Sequence, residues 1–333
     1  MNIYITAPAH ASSGGPEDLH LLCYHMRKDF GLNSYMYYYG YKDDNPVSEP
    51  YRVYQNPYVF EVEDNPEDIL VVPEVSSGIS EIVRYKKIKK FVWWLSVDNF
   101  YKTTFYNNSD LIDIFYNRFP LKDYEPFKSV KLHLAQSYYA FDHLKRKGIF
   151  NIAYLSDYIV YQKKDFNEII SRKKNKVCYN PAKGYVFSSK IIEKAKDIEF
   201  IPLQNMTRRE VFRTLEDSKV YIDFGEFPGK DKIPREAALC GCCVIIGKRG
   251  SANFKEDFPI DDEFRFEYSY DNIEKIIDKI KYIFKNYEQE FKKFKNYVKV
   301  IESEKNCFIS DIKKIFVDSE ILEEEYDKSF GCY

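Results

Sequence analysis

Short apolar runs alternate with amphipathic helical stretches, a charged break falls near the middle, and a second strand-and-helix series follows it. This pattern predicts an α/β chain of two Rossmann-like, doubly wound domains facing a cleft. At 333 residues the chain suits two domains, each large enough to bury its own core. The first series opens with a strand over 2–7, an amphipathic helix over 16–30 and a strand over 34–39. Strand-like runs at 69–72, 91–95, 131–135 and 152–155 follow, with helical stretches around 78–87 and 138–147. Alternation of this kind means a mostly parallel sheet covered on both faces. The polar stretch VYQKKDFNEIISRKKNK then reads as a linker over 161–175, which sets the domains at 1–160 and 176–333. The second series has strands at 177–180, 199–201 and near Val220, and helices over 184–196 and 207–217. Thr207 and Glu210 form a capping box that marks the start of the last of these. After Phe266 the chain is lysine-rich and helical over 272–298 and 307–325.

Composition narrows the function classes. The net charge of −2 comes from interspersed lysines and carboxylates, so there is no basic footprint for nucleic acid. The first residues lead straight into a strand and no uncharged run is long enough to span a bilayer, which leads to the expectation of a cytoplasmic protein. Seven cysteines, with Cys240, Cys242 and Cys243 clustered in an apolar segment, read as small core residues. All five histidines precede residue 150, so that cluster has no histidine partners for a metal. The 30 tyrosines and 26 phenylalanines are mostly core and surface filler, although a ring face suits the apolar face of a sugar.

The densest information lies in YIDFGEFPGKDKIPREAALCGCCVIIGKRGS, residues 221–251. A buried strand ends in Gly225, Pro228 and Gly229, so the backbone there can approach a ligand closely. Pro234 falls in the first turn of a helix, where its missing N–H is no loss, and the dipole and free amides of that turn favour an anion. Gly241 ends the helix, Cys243–Ile246 makes the next strand, and Gly247–Gly250 makes a second glycine loop.

This segment resembles the donor-binding core of the GT-B glycosyltransferases, in particular the large retaining group (family 4-like) with an E-A-x-x-x-G-x-P-V-[IV] helix. Glu236, Ala237, Gly241, Val244 and Ile245 match, and Cys243 replaces the usual proline. The resemblance implies that Glu236 holds the donor ribose and that Gly229, Lys230, Gly250 and Ser251 border the nucleotide. The family's earlier sugar-contacting glutamate falls at Pro228 here, and Glu226 is the nearest candidate. Asn180-Pro181-Ala182-Lys183-Gly184 matches the family's Lys-Gly site, which makes Lys183 the diphosphate ligand with Asn180 and Gly184 beside it. Tyr179 and Asn180 stand where the family has an arginine, so Lys248 or Arg249 is a candidate for the second positive charge. Leu203 and Asn205, in FIPLQNMT, correspond to the segment against the nucleobase.

In the first domain, HASSGGPE brings Gly14 and Gly15 to the entry of a helix, with His10 and Ser12 alongside; the family places such a loop near acceptor and phosphate. Asp98 follows the strand VWWLSV and is a candidate to orient an acceptor hydroxyl or act as a base, or else to cap the following turn. His133 and His143 read as structural. Lys86, Lys87, Lys89 and Lys90 could form a basic patch that keeps the protein at the inner face of a membrane, or a solvated helix end.

These readings lead to an expected hexosyltransferase-type enzyme. It moves a sugar from a UDP- or GDP-sugar donor to a hydroxyl of a glycan or lipid-linked glycan, in bacterial surface polysaccharide synthesis. Retention is implied by the Glu236 helix. No metal is called for, because Asp261-Asp262 lies in a loop and no Asp-x-Asp pair ends a strand of the second domain. Two alternatives stay open: a sugar-nucleotide epimerase or hydrolase, and a non-catalytic nucleotide-sugar-binding subunit. The first needs an acid/base pair that neither Glu226 nor Asp98 obviously has; the second would suit the displaced glutamate and the missing arginine.

Overall fold

The structure, a computed structural model, describes residues 1–41, 45–162 and 165–318. Among the described residues the chain divides into two compact units, Met1–Tyr158 with Lys305–Asp318, and Ile159–Glu304.

The first unit is built on a seven-stranded parallel sheet. Its strands are β1 (Ile3–Thr6), β2 (Ser34–Tyr37), β3 (Tyr58–Val59), β4 (Ile69–Pro73), β5 (Lys89–Trp94), β6 (Val130–Ala135) and β7 (Ile152–Tyr154), in the order β3-β2-β1-β4-β5-β6-β7. Residues of β4 and β5 such as Val71, Val72, Trp93 and Trp94 are completely buried, because helices cover both faces of the sheet. The strand order reverses between β1 and β4, which opens a crevice at their carboxyl ends.

The second unit has five parallel strands, β8 (Lys174–Tyr179), β9 (Glu199–Pro202), β10 (Ser218–Asp223), β11 (Cys243–Gly247) and β12 (Arg265–Phe266), in the order β12-β11-β10-β8-β9. The reversal falls between β8 and β10. The loops leaving those two strands, 180–184 and 224–231, therefore border the second crevice. Every residue of β11 is buried, so this strand reads as a continuous apolar run. Cys240 and Cys242 are buried just before it and Cys243 is buried as its first residue, and the Cys242 thiol donates to the carbonyls of Leu215 at 3.1 Å and Ser218 at 3.2 Å. The capping box is present: Thr207 Oγ1 accepts from Glu210 N, and Glu210 Oε2 accepts from Thr207 N at 2.7 Å.

The domain limits differ from the sequence expectation at both ends. The expected linker is part of the second unit: the helix Phe166–Arg172 buries Ile169 and packs Ile170 against the unit's core, and Lys173 Nζ donates to the carbonyls of Leu215, Ser218 and Cys240 at 2.8, 2.7 and 2.6 Å. Polarity misled here because the half-buried Lys173 directs its ammonium to carbonyls at strand and helix ends. At the other end, the helix Lys295–Ile312 starts in the second unit, but its residues from Lys305 belong to the first. Phe308 lies over Trp93 with centroids 6.2 Å apart, and Ile312, Ile315 and Phe316 complete the same core. Each such side chain contributes about 1.5–3 kcal/mol on burial, which holds the segment to the first sheet. The rest of the expected last helix, beyond residue 318, lies outside the described residues.

Candidate donor and acceptor sites

The second crevice is closed at its base by two backbones in contact. Gly184 has φ +64, and a Cβ there would lie 2.3 Å from the carbonyl carbon of Phe224. The loop after β8 thus lies directly on the loop after β10. Gly250, at φ +49, is pressed in the same way against the Phe227 carbonyl oxygen, where a Cβ would come within 2.0 Å. Phe227, itself at φ 50, is fully buried and anchors the β10 loop from below.

Charged groups line this crevice. Lys183 Nζ lies 2.9 and 3.0 Å from the two carboxylate oxygens of Asp231. Burial works against the lysine's charge, but Asp231, Asp223 and Glu226 outweigh it and raise its pKa, so the ammonium is charged. Beneath it Asp223 is almost completely buried, accepts from Tyr221 OH at 2.7 Å and Gly225 N at 2.9 Å, and has its carboxyl pushed up to about 6 by burial and by Asp231. Glu226 is half-exposed with Arg249 3.9 Å away, and the Arg249 guanidinium lies 4.7 Å over the Tyr268 ring. The helix Lys232–Leu239 rises from this loop with Pro234 in its first turn, and Glu236 Oε1 accepts from Arg208 Nη2 at 3.2 Å. Asp231 and Arg208 were not singled out by the sequence; no local pattern reports a partner reached only through the fold.

Several expected contact residues are occupied elsewhere. Lys230, expected at the nucleotide, is buried with Nζ 2.8 Å from Glu304, so its ammonium is internal. Lys248 pairs with Glu267 at 2.9 Å, and Arg249 is the cation of that loop that lies by Glu226. Ser251 is fully buried and donates to the Gly229 carbonyl at 2.6 Å, which ties the two glycine loops together. Asn180 accepts from Ala182 N at 3.0 Å and shapes the Lys183 turn. Leu203 N donates to the Tyr179 carbonyl at 2.9 Å, and Asn205 is exposed with φ 54.

In the first unit Gly14 and Gly15 are the first residues of the helix Gly14–Lys28, with a buried Glu17 in its first turn. Ser12 is exposed, and His10 Nε2 is 2.6 Å from Tyr41 OH. The turn after β5 is capped by Ser96, whose side chain accepts from Asn99 N, and not by Asp98. Asp98 accepts instead from Tyr139 OH at 2.9 Å, and Tyr139 OH is 2.7 Å from Tyr116 OH, so the carboxylate is held by a chain of phenols. His133 accepts from Trp94 Nε1 at 3.0 Å and His143 is 2.7 Å from Tyr101 OH; burial pushes each imidazole down to about 3, so both are neutral. Of the expected lysine patch, Lys90 is buried and donates to Ser129 Oγ at 3.2 Å, so it is not part of a basic surface.

Glu74 follows β4 at the first crevice, is 2% exposed and accepts from Leu95 N at 3.0 Å. Burial pushes its carboxyl from the ordinary 4.5 up to about 8. Its folded-state value is the higher one, so the stability tied to this group is present below pH 4.5 and lost as pH rises through 8. Glu74→Gln keeps one oxygen to accept from Leu95 N and cannot ionise. Its stability relative to wild type is expected to improve steadily between those pH values, by at most ~5 kcal/mol. Urea midpoints at pH 5 and pH 8 check this; a difference that does not change with pH rules out the buried acid.

No protein-family model matches the chain, and a search of curated proteins finds no relative. Solved structures do match. HepE (Alr3699) of Anabaena, in complex with UDP and glucose, aligns over 97% of this chain and 100% of its own with a TM-score of 0.63 at 10% identity. The fold is that of the GT-B glycosyltransferases. A glycosyltransferase from Rickettsia africae aligns over 97% of this chain and 99% of its own with a TM-score of 0.62 at 15% identity. The lipopolysaccharide outer core galactosyltransferase WaaB in its apo form aligns over 96% of this chain and 100% of its own, with a TM-score of 0.60 at 10% identity. Among the described residues, no helix is long and apolar enough to cross a membrane.

Proposed function

We propose that this GT-B chain transfers a hexosyl group from a nucleoside diphosphate sugar to a hydroxyl of a glycan or lipid-linked glycan. The observation that carries the reading is the Lys183 cluster at the strand-order reversal of the second sheet, where such folds bind ligands. In the reaction the bond from the sugar C1 to the β-phosphate oxygen breaks and a bond from the acceptor oxygen to C1 forms. The acceptor proton passes to the leaving phosphate. Charge grows on that phosphate as the bond breaks, so Lys183 and Arg249 stabilise the transition state more than the bound donor. Glu236, oriented by Arg208, takes the ribose hydroxyls. Asp98, held by Tyr139, orients the acceptor hydroxyl. The retaining group's resemblance at Glu236 favours retention, and with the phosphate as base the reaction calls for no metal. The UDP complexes of HepE favour a uridine donor, and surface polysaccharide is the acceptor class such enzymes commonly serve.

The test is calorimetric titration of UDP, GDP, ADP, CDP and CMP into wild type and Glu236→Ala, followed by hydrolysis of the matching nucleotide sugars. One diphosphate is expected to bind at micromolar concentration, at least ~10-fold more weakly in Glu236→Ala. Lys183→Ala is expected to lower turnover about 10²-fold. Absence of binding to every nucleotide by folded protein removes the transferase reading, and binding without turnover leaves a nucleotide-sugar-binding subunit.

A further inference from the structure

Asp231 stands at the N-cap of the helix Lys232–Leu239, a place where aspartate ordinarily accepts from a first-turn amide. Its side chain makes no such bond. Both carboxylate oxygens instead face Lys183 Nζ, at 2.9 and 3.0 Å. Pro234 has no N–H to offer, so Ile233 N–H is the amide of that turn which a capping side chain would use.

Three carboxylates act on the one lysine: Asp231, Asp223 and Glu226. A diphosphate brings further negative charge to this cluster and competes with its carboxylates for Lys183. Asp223 is fixed beneath by Tyr221 OH and Gly225 N, and Glu226 lies toward Arg249. Asp231 is the one in direct contact with the ammonium, and the one with a second position open to it through its own helix.

On the reading that this crevice takes a nucleoside diphosphate, we propose that Asp231 is a resident counter-ion: in the free protein it occupies the phosphate's place on Lys183, and the ligand displaces it to cap its own helix. Asp231 then sets the affinity of the site. Part of the attraction between Lys183 and phosphate goes into breaking an existing ion pair, and the displaced carboxylate stays close enough to repel the ligand.

The experiment compares wild type with Asp231→Asn and Asp231→Ser, which remove the charge while keeping a side chain able to cap the helix. UDP is expected to bind about 10-fold more tightly to both variants, the equivalent of about 1.4 kcal/mol. Uridine, which has no phosphate, is expected to show no change. Looser or unchanged UDP binding in both variants overturns the proposal and makes Asp231 a positioning residue that holds Lys183 for the donor. Equal tightening of uridine overturns it as well, since the effect would then not involve the phosphate. If wild type binds no nucleotide, it is the transferase reading that fails.

Discussion

Gly184→Ala is expected to destabilise the second unit by about 3 kcal/mol or more and to abolish UDP binding. Two independent effects combine. The φ of +64 disfavours any side chain, and the new Cβ would meet the Phe224 carbonyl carbon at 2.3 Å, its oxygen at 2.4 Å and Gly225 N at 2.6 Å. These are backbone atoms and cannot turn aside as a flexible side chain would. To make room, the loop carrying Lys183 must lift off the loop carrying Glu226 and Asp231, which separates the charged groups of the crevice. Gly40→Ala isolates the conformational part: its φ is +69, and nothing lies within 4 Å of the new Cβ. About 1 kcal/mol is expected there. Urea unfolding and UDP titration of both variants measure the difference, and equal losses would mean that the two loops are not in contact at Gly184.

The sequence made most of the fold visible where burial on both faces leaves continuous apolar runs. The strand from Cys243 and the one around Val220 could be read because helices cover both sides of them. The two-residue strands β3 and β12 could not, since two residues carry no period. Site residues follow the same division. Lys183 and Glu236 stand out through their local setting after a strand and on a proline-opened helix. Their partners Asp231 and Arg208 lie 48 and 28 residues away and are joined only by the fold. Lysines were the hardest to sort. Lys183 and Lys230 both sit in polar loops beside glycines, and only the tertiary structure shows that one faces the crevice and the other is buried against Glu304. Lys173 and Lys90 misled in the same way: a long aliphatic stem lets an ammonium reach buried acceptors from a segment that looks solvated.

Glu304 shows how much such a buried group can hold. Its carboxylate, 3% exposed, lies 2.8 Å from Lys230 Nζ and 2.8 Å from Arg235 Nη1, two cations with side chains 1% and 0% exposed. Glu304→Gln takes away the negative charge and leaves those cations in a low-dielectric interior, where breaking an ion pair typically costs about 3–5 kcal/mol. That loss is expected in urea unfolding. By contrast, Lys255→Met, which breaks the exposed pair with Asp262, is expected to change stability by ~0.5 kcal/mol or less. The effect should extend to the crevice, because Arg235 also donates to the carbonyls of Lys230 at 2.7 Å and Asp231 at 3.3 Å. With its guanidinium no longer anchored by Glu304, the loop that places Asp231 against Lys183 loses its support, so UDP affinity should fall together with stability. A Glu304→Gln protein that is destabilised but binds UDP normally would confine the network to folding. Loss of both would show that the helix carrying Glu304 sets the geometry of the Asp231 loop from inside the second unit.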